Sequence, residues 1–301
     1  MPEILTYSGG KYFAIPHLLP FVPPGTTQMV SSFLGAAHFE LYLEARGIQV
    51  HGSDIYKALI NFLEQVMRDP CRVADLAEWY LPLMNRDFYH RVAACLDHIK
   101  PLEDQAAWFL IVNRCSYAAM GADGGYSHAR HEDFVKGLPG FMKAIREFKV
   151  TNFFIDCCDF EVALRRHPHM FAFLDPPYDL ASGYTLYGPR GKGFSHDRLA
   201  RLLHQRQSEW MLCYHKTDRI LNLYQDFRIV DLKGLWWYRM KSKNNHEILI
   251  VSDGLELPDG VKLINPVRST TYSIPNNRFA RLRRTDGSLS QQSTDNPFAR
   301  L

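Results

Sequence analysis

Asp175, Pro176, Pro177 and Tyr178 follow directly on the apolar stretch 170–174, an order that predicts a buried strand delivering a stiff polar loop. Those residue types suit a reaction on the exocyclic amine of a planar base. Such an amine is a poor nucleophile, because its lone pair is delocalised into the ring. An enzyme must accept its hydrogens, hold it against an electrophilic methyl group and exclude water. Asp175 offers one acceptor and the Pro176 carbonyl a second, while the prolines fix φ and remove backbone donors. Tyr178 adds a face on which a base can stack. Four residues alone could equally be a proline-rich strand exit, so the surrounding elements decide.

Three upstream blocks could position that loop. Residues 30–33 read as a short strand, Leu34-Gly35-Ala36-Ala37 as a tight turn and residues 38–46 as a helix. Small residues in such a turn let the backbone approach a ligand, and the helix N-terminus adds a favourable dipole. Residues 49–54 read as a second strand ending in Asp54. That acid lies about 20 residues beyond the glycine turn, where α/β nucleotide folds set a carboxylate on ribose hydroxyls. Asp54 could equally cap a helix starting near Ala58. Near the N-terminus, Tyr7-Ser8-Gly9-Gly10-Lys11-Tyr12 places a lysine on a glycine loop, able to meet a carboxylate or phosphate. It lacks the leading glycine and the Ser/Thr of a P-loop.

In this order, with Asn113-Arg114 and Asp159-Phe160 between them and Asp175, the blocks resemble the Dam-type (D12 class) DNA adenine-N6 methyltransferases over about residues 5–253. The resemblance implies an α/β fold: a Rossmann-like class I methyltransferase sheet with helices on both faces, a small, mainly helical target-recognition insertion and a flexible C-terminal tail. It divides the chain into a catalytic domain of residues 1–70 and 150–254, a helical and recognition region of 71–149, and a basic, mobile tail of 255–301. It implies S-adenosyl-L-methionine as cofactor, held by Tyr7, Lys11, Phe33, Gly35, Ala37, Asp54, Asp159, Phe160 and Asp175, and no metal. The target adenine would be flipped out of the duplex into a pocket of Asp175, Pro176, Pro177 and Tyr178. Asn113 and Arg114 match the pair that opens the recognition region. With Tyr184, Tyr187, Arg190 and Lys192 of the glycine-rich loop after Tyr178, they are the expected DNA-binding residues. The implied partners are double-stranded DNA and a cognate restriction endonuclease. The protein is expected to act in the cytoplasm, away from membranes, as a monomer or weak dimer.

Two departures from the family pattern matter. Ala37 stands where a second glycine is usual and sets a methyl group beside the cofactor. Residues 115–126 lack the readers of GATC, which points to a short or relaxed site. Three alternatives stay open: methylation of RNA adenine, methylation of cytosine N4, and a binding module without turnover. The Asp before Pro-Pro-Tyr disfavours cytosine.

Composition agrees with an enzyme of this size. The 301 residues are 46% hydrophobic, enough for a real core, and a net charge of +3 leaves DNA binding to a local basic face. Six cysteines without a Cys-x-x-Cys spacing read as reduced, His167-Pro168-His169 as a loop, and no apolar run is long enough to span a membrane. Residues 76–97 and 103–119 read as helices that pack Trp79, Leu83, Phe88 and Trp108 onto the sheet and carry Arg114, Arg130 and Lys136 towards phosphates. After Gly254 the apolar pattern degrades.

Overall fold

The computed structural model describes residues 4–7, 9–179, 193–232 and 246–264. All lie in the first of two units, Met1–Pro266; the second, Val267–Leu301, falls outside the described residues. Tyr184, Tyr187, Arg190 and Lys192 fall outside them too.

Short runs rich in apolar residues form seven strands among the described residues: β1 Gln28–Ser32, β2 Gln49–Asp54, β3 Phe153–Cys157, β4 Phe171–Leu174, β5 Trp210–His215, β6 Arg228–Asp231 and β7 Glu247–Val251. They make one sheet in the order β3-β2-β1-β4-β5-β7-β6. Pairing from β3 across to β5 is parallel, and β7 runs antiparallel between β5 and β6. Every residue of β4 and β7 is buried, as strands covered on both faces require. Alternation divides their side chains: Met29, Phe173, Met211 and Leu249 enter one core, and Val30, Leu174, Trp210 and Ile248 the other.

The first core is closed by helices α1 Ile15–Leu18, α2 His38–Glu44, α3 Lys57–Arg68, α4 Pro70–Tyr80, α5 Arg86–Cys95, α6 Leu102–Cys115 and α7 His128–Arg146. The second is closed by α8 Phe160–Arg166, α9 His196–Gln205 and α10 Asp218–Leu223. This is the α/β sheet with helices on both faces that the resemblance implied. No helix among the described residues is long and apolar enough to cross a membrane.

The helical section differs from expectation in three places. The helix expected over 76–97 is broken, because Pro82 and then Asn85, whose side chain accepts the Phe88 N–H at 3.0 Å, end one helix and start the next. Trp108 is buried against Tyr80, but Trp79 and Leu83 are 76% and 52% exposed. They are not core residues, since α4 turns Val73, Ala74 and Ala77 inward instead of Trp79, and Leu83 lies in the short 3-10 turn beyond that helix, where Leu81 is the buried residue. Helix α7 forms despite Gly137, Pro139 and Gly140. Tertiary burial of Phe134, Met142 and Ile145 and the ion pairs of Arg146 with Asp75 (2.7 Å) and Glu78 (2.6 Å) override the weak local propensity.

Residues 255–264 also depart from the expected tail. Leu255 is buried, Leu263 bridges Val230, and the Ile264 N–H donates to the Ile229 carbonyl at 2.8 Å. The apolar residues spaced through this segment keep it beside β6.

The chain leaves β1 towards β2 and β3, and β4 towards β5. A crevice therefore opens at the carboxyl ends of β1 and β4, where open α/β sheets bind ligands.

Candidate active site

A cavity of about 270 Å³ occupies that crevice, close to the lower end of the range for small-molecule sites, about 300–1,000 Å³. Tyr7, Lys11, Phe33, Gly35, Ala37, Asp54, Asp159, Phe160 and Asp175 all line it, with Pro177 beside them. Every residue expected to hold a cofactor thus meets in one place.

Local geometry explains how the glycine turn reaches this cavity. The Phe33 and Leu34 N–H groups both donate to the Ser53 carbonyl, at 2.9 and 3.2 Å, which folds the turn over the end of β2. Phe33 has φ of 88° and Ala37 a φ of 54°, each a left-handed strain of about 1–2 kcal/mol for a residue with a Cβ. Gly35 has φ of +49°, and a Cβ there would sit 3.2 Å from the Tyr7 ring. Gly35→Ala should therefore cost about 1–2 kcal/mol of stability and displace Tyr7. Denaturant unfolding and cofactor titration would both register it, and a variant unchanged in both would refute the packing argument.

Asp54 is not a helix cap. Its carboxylate accepts the Tyr56 N–H at 2.9 Å and the Gly35 N–H at 3.4 Å, and the helix beyond begins at Lys57. The acid ties the turn to β2, and its oxygens retain lone pairs for a further donor. Opposite lies an aromatic box: the rings of Phe33, Phe160 and Phe194 stand 5.5–5.6 Å apart, and the Arg198 guanidinium lies 4.4 Å from the Phe160 centroid. Asp159 is largely committed elsewhere. Its carboxylate caps α8 through the Glu161 N–H at 3.0 Å and pairs with Arg198. Phe194 and Arg198 escaped the sequence reading as site residues. The available signal was Ser195, whose cap on the Arg198 N–H at 3.2 Å sets the first turn of α9 against the cavity. An aromatic box, a carboxylate and a glycine-lined backbone together fit a cofactor that carries adenosine.

The other end of the cavity is a buried polar cluster. Lys11, 5% exposed, donates from Nζ to Asp175 Oδ2 at 2.6 Å and to the Gly9 carbonyl at 2.9 Å. It also lies 5.3 Å from the Tyr178 ring centroid. The Tyr178 hydroxyl donates to Asp175 Oδ1 at 3.2 Å. Burial alone would push the Lys11 ammonium down, but Asp175, then Glu247 and Cys213, more than offset this and hold it well above the usual lysine range. The Pro176 carbonyl accepts no hydrogen bond among the described residues.

Two more carboxyls belong to this cluster and were not foreseen. Burial pushes Glu247 up to about 7, against the pull of Lys11. Glu40, on α2, is likewise pushed up to about 7 by burial, although the Ser31 hydroxyl donates to it at 2.6 Å. A carboxyl raised above its unfolded value favours the fold below that value, and the contribution is lost as pH rises from about 4.5 to about 7. Stability should thus fall between about pH 4.5 and pH 7. Glu40→Gln should remove up to about 3 kcal/mol of that fall. Urea midpoints across the range would check this, and an unchanged slope in the variant would count against it.

The recognition residues are placed differently from expectation. Asn113 is 1% exposed and donates to the Thr6 carbonyl at 2.8 Å, so its amide braces the segment ahead of Tyr7 and does not face DNA. A buried amide at a helix end has to find such a partner. Arg114 donates to Thr6 Oγ1 at 2.7 Å, with its guanidinium 4.1 Å from the Phe141 ring centroid. Beyond them Ala118 and Ala119 both take left-handed backbone, with φ of 50° and 59°. Tyr117, on this strained turn, is 68% exposed.

The sequence matches the profile of the D12 class N6 adenine-specific DNA methyltransferases over residues 7–236. No curated protein matches it. Among solved structures it is similar to the rRNA methyltransferase aviRa from Streptomyces viridochromogenes, with 14% identity over 79% of this chain and 82% of that one and a TM-score of 0.30, too low to carry an argument. The family match runs from the Tyr7 loop through the glycine turn and the Asp175 loop, well over half of the sequence, and the chain therefore belongs to the D12 class N6 adenine-specific DNA methyltransferase family.

Proposed function

We propose that this chain binds S-adenosyl-L-methionine in the β1–β4 crevice and methylates N6 of an adenine flipped out of double-stranded DNA into the pocket of Asp175, Pro176, Pro177 and Tyr178. The observation that carries the reading is the position of Asp175, which shares one cavity with the full set of proposed cofactor residues. When bound, the cofactor supplies an electrophilic methyl on a sulfonium, so no protein nucleophile is needed. The chain contributes position, acceptors and the exclusion of water.

Asp175 Oδ1 takes one hydrogen of the adenine amine and the Pro176 carbonyl takes the other. These acceptors turn the nitrogen lone pair out of conjugation and oppose the positive charge that grows on N6. Tyr178 stacks on the base. Lys11 fixes the Asp175 rotamer through Oδ2, the oxygen that the amine does not use. Phe33, Phe160 and Phe194 would hold the cofactor's adenine, Asp54 its ribose hydroxyls, and Tyr7, Gly35 and Ala37 the rest. Asp159 acts through Arg198. Arg114 and the exposed Tyr117 are the described residues proposed to meet DNA, along with Tyr184, Tyr187, Arg190 and Lys192. Asn113 is left to its structural bond with Thr6.

The test is methyl transfer from labelled S-adenosylmethionine to unmethylated duplex DNA, with nucleoside analysis and an Asp175→Ala control. N6-methyladenine that disappears in the control supports the reading. A product on RNA or on cytosine, or cofactor binding without any product, overturns it.

A further inference from the structure

Both oxygens of Asp175 are already engaged, Oδ2 by Lys11 at 2.6 Å and Oδ1 by the Tyr178 hydroxyl at 3.2 Å. An adenine amine that is to bond Asp175 competes with these two donors for the lone pairs that face the cavity. The Lys11 bond is short, charge-assisted and buried, whereas the Tyr178 bond is long and its donor is neutral, so Oδ1 is the oxygen to be released. A phenol hydroxyl displaced inside a closed site then needs another acceptor.

Glu247 stands ready to be that acceptor. It opens β7, and the antiparallel register that pairs it with His215 sets it at the carboxyl edge of β5, next to the catalytic loop. Its side chain is 7% exposed and interacts electrostatically with both Lys11 and Asp175, and its carboxyl group hydrogen-bonds the Tyr178 hydroxyl, which Glu247 and Asp175 therefore share. Yet its Oε2 atom is buried with no hydrogen-bond partner among the described residues. An orphaned buried carboxyl oxygen is costly, by about 1–3 kcal/mol or more, and calls for an explanation.

We propose that Glu247 is a positioning residue that keeps the Tyr178 hydroxyl for itself as the target adenine enters, which leaves Asp175 Oδ1 to the adenine amine. This rests on the reading of Asp175 given above. No covalent bond changes: an O–H donor shared by two carboxyls stays with Glu247 alone, and Asp175 Oδ1 accepts an N–H from the base. The unpartnered Oε2 gives Glu247 spare acceptor capacity as the hydroxyl shifts, and Tyr178 is steered into its stacking position by the residue that holds it.

The experiment is a double-mutant cycle on the full-length chain, with steady-state methylation of duplex DNA as readout. Glu247→Leu should lower kcat about tenfold and leave the KM for S-adenosylmethionine nearly unchanged. Glu247→Gln, which keeps an acceptor oxygen, should restore most of that loss. In a Tyr178→Phe background, with no hydroxyl to receive, Glu247→Leu should add no further loss. Glu247→Met replaces Glu247→Leu in the cycle if the leucine variant fails to fold. Additive losses, a glutamine variant as impaired as the leucine one, or an unchanged kcat would each overturn the role of Glu247 while leaving the reaction standing. A wild-type chain that makes no N6-methyladenine would instead fail the functional reading beneath it.

Discussion

Asp175→Ala should lower the rate of N6-methyladenine formation on the order of 10³-fold, the scale seen when a group aimed at developing charge is removed from a closed site. Asp175→Asn should fall between the two, because an amide oxygen still accepts the amine hydrogen but carries no charge to oppose the growing positive nitrogen. The alanine variant should nevertheless fold. It leaves Lys11 beside Glu247, which at about 7 is poised to ionise and supply the missing counter-charge. The measurement is single-turnover methyl transfer, in which product release does not mask the chemical step, alongside a thermal melt. An alanine variant within tenfold of wild type would remove Asp175 from the chemistry.

Strands β2 and β4 and the elements that meet at the cavity were legible because each rests on local signals. β2 has the bounds read for it, 49–54, and the glycine turn, Asp54, Phe160 and Asp175 all reach one cavity because each ends or follows a strand at the same edge of the sheet. What was hidden depends on residues distant in sequence. Glu40 and Glu247 look like surface acids in a sequence, and only packing against Lys11 from the N-terminal loop and Asp175 from the loop after β4 makes them a buried cluster. Asn113 was misjudged for the same reason, since its partner Thr6 lies 107 residues away. Helix α7 was missed because Gly137, Pro139 and Gly140 speak against a helix locally, while the burial that favours it is tertiary. Trp79 and Leu83 erred the other way, since apolar identity alone does not place a residue inside.

Lys11→Met is expected to be the most damaging single change to stability, because it leaves Asp175 and Glu247 facing each other without a cation. Removing one partner of a buried pair typically costs about 3–5 kcal/mol, and Asp175, only 17% exposed, has little water to replace the lost ammonium. The sign with pH follows. Without Lys11, which pulls it down, the Glu247 carboxyl should hold its proton to higher pH, so the penalty should be largest near pH 8, where Glu247 is ionised beside Lys11 in the wild type, and shrink towards pH 5 as it becomes neutral. Adding Asp175→Asn should restore most of the stability, since no charge then needs a partner, yet should leave methylation as low as in the single Lys11 variant or lower. That separation of folding from activity is what distinguishes a lysine that holds a catalytic carboxylate from one that merely pairs with it. Urea unfolding of the two single variants and the double variant at both pH values, with methyl transfer measured on the same preparations, decides the matter. A Lys11→Met loss below about 1 kcal/mol at pH 8, the scale of a solvated surface pair, would show that the pair is not buried as described.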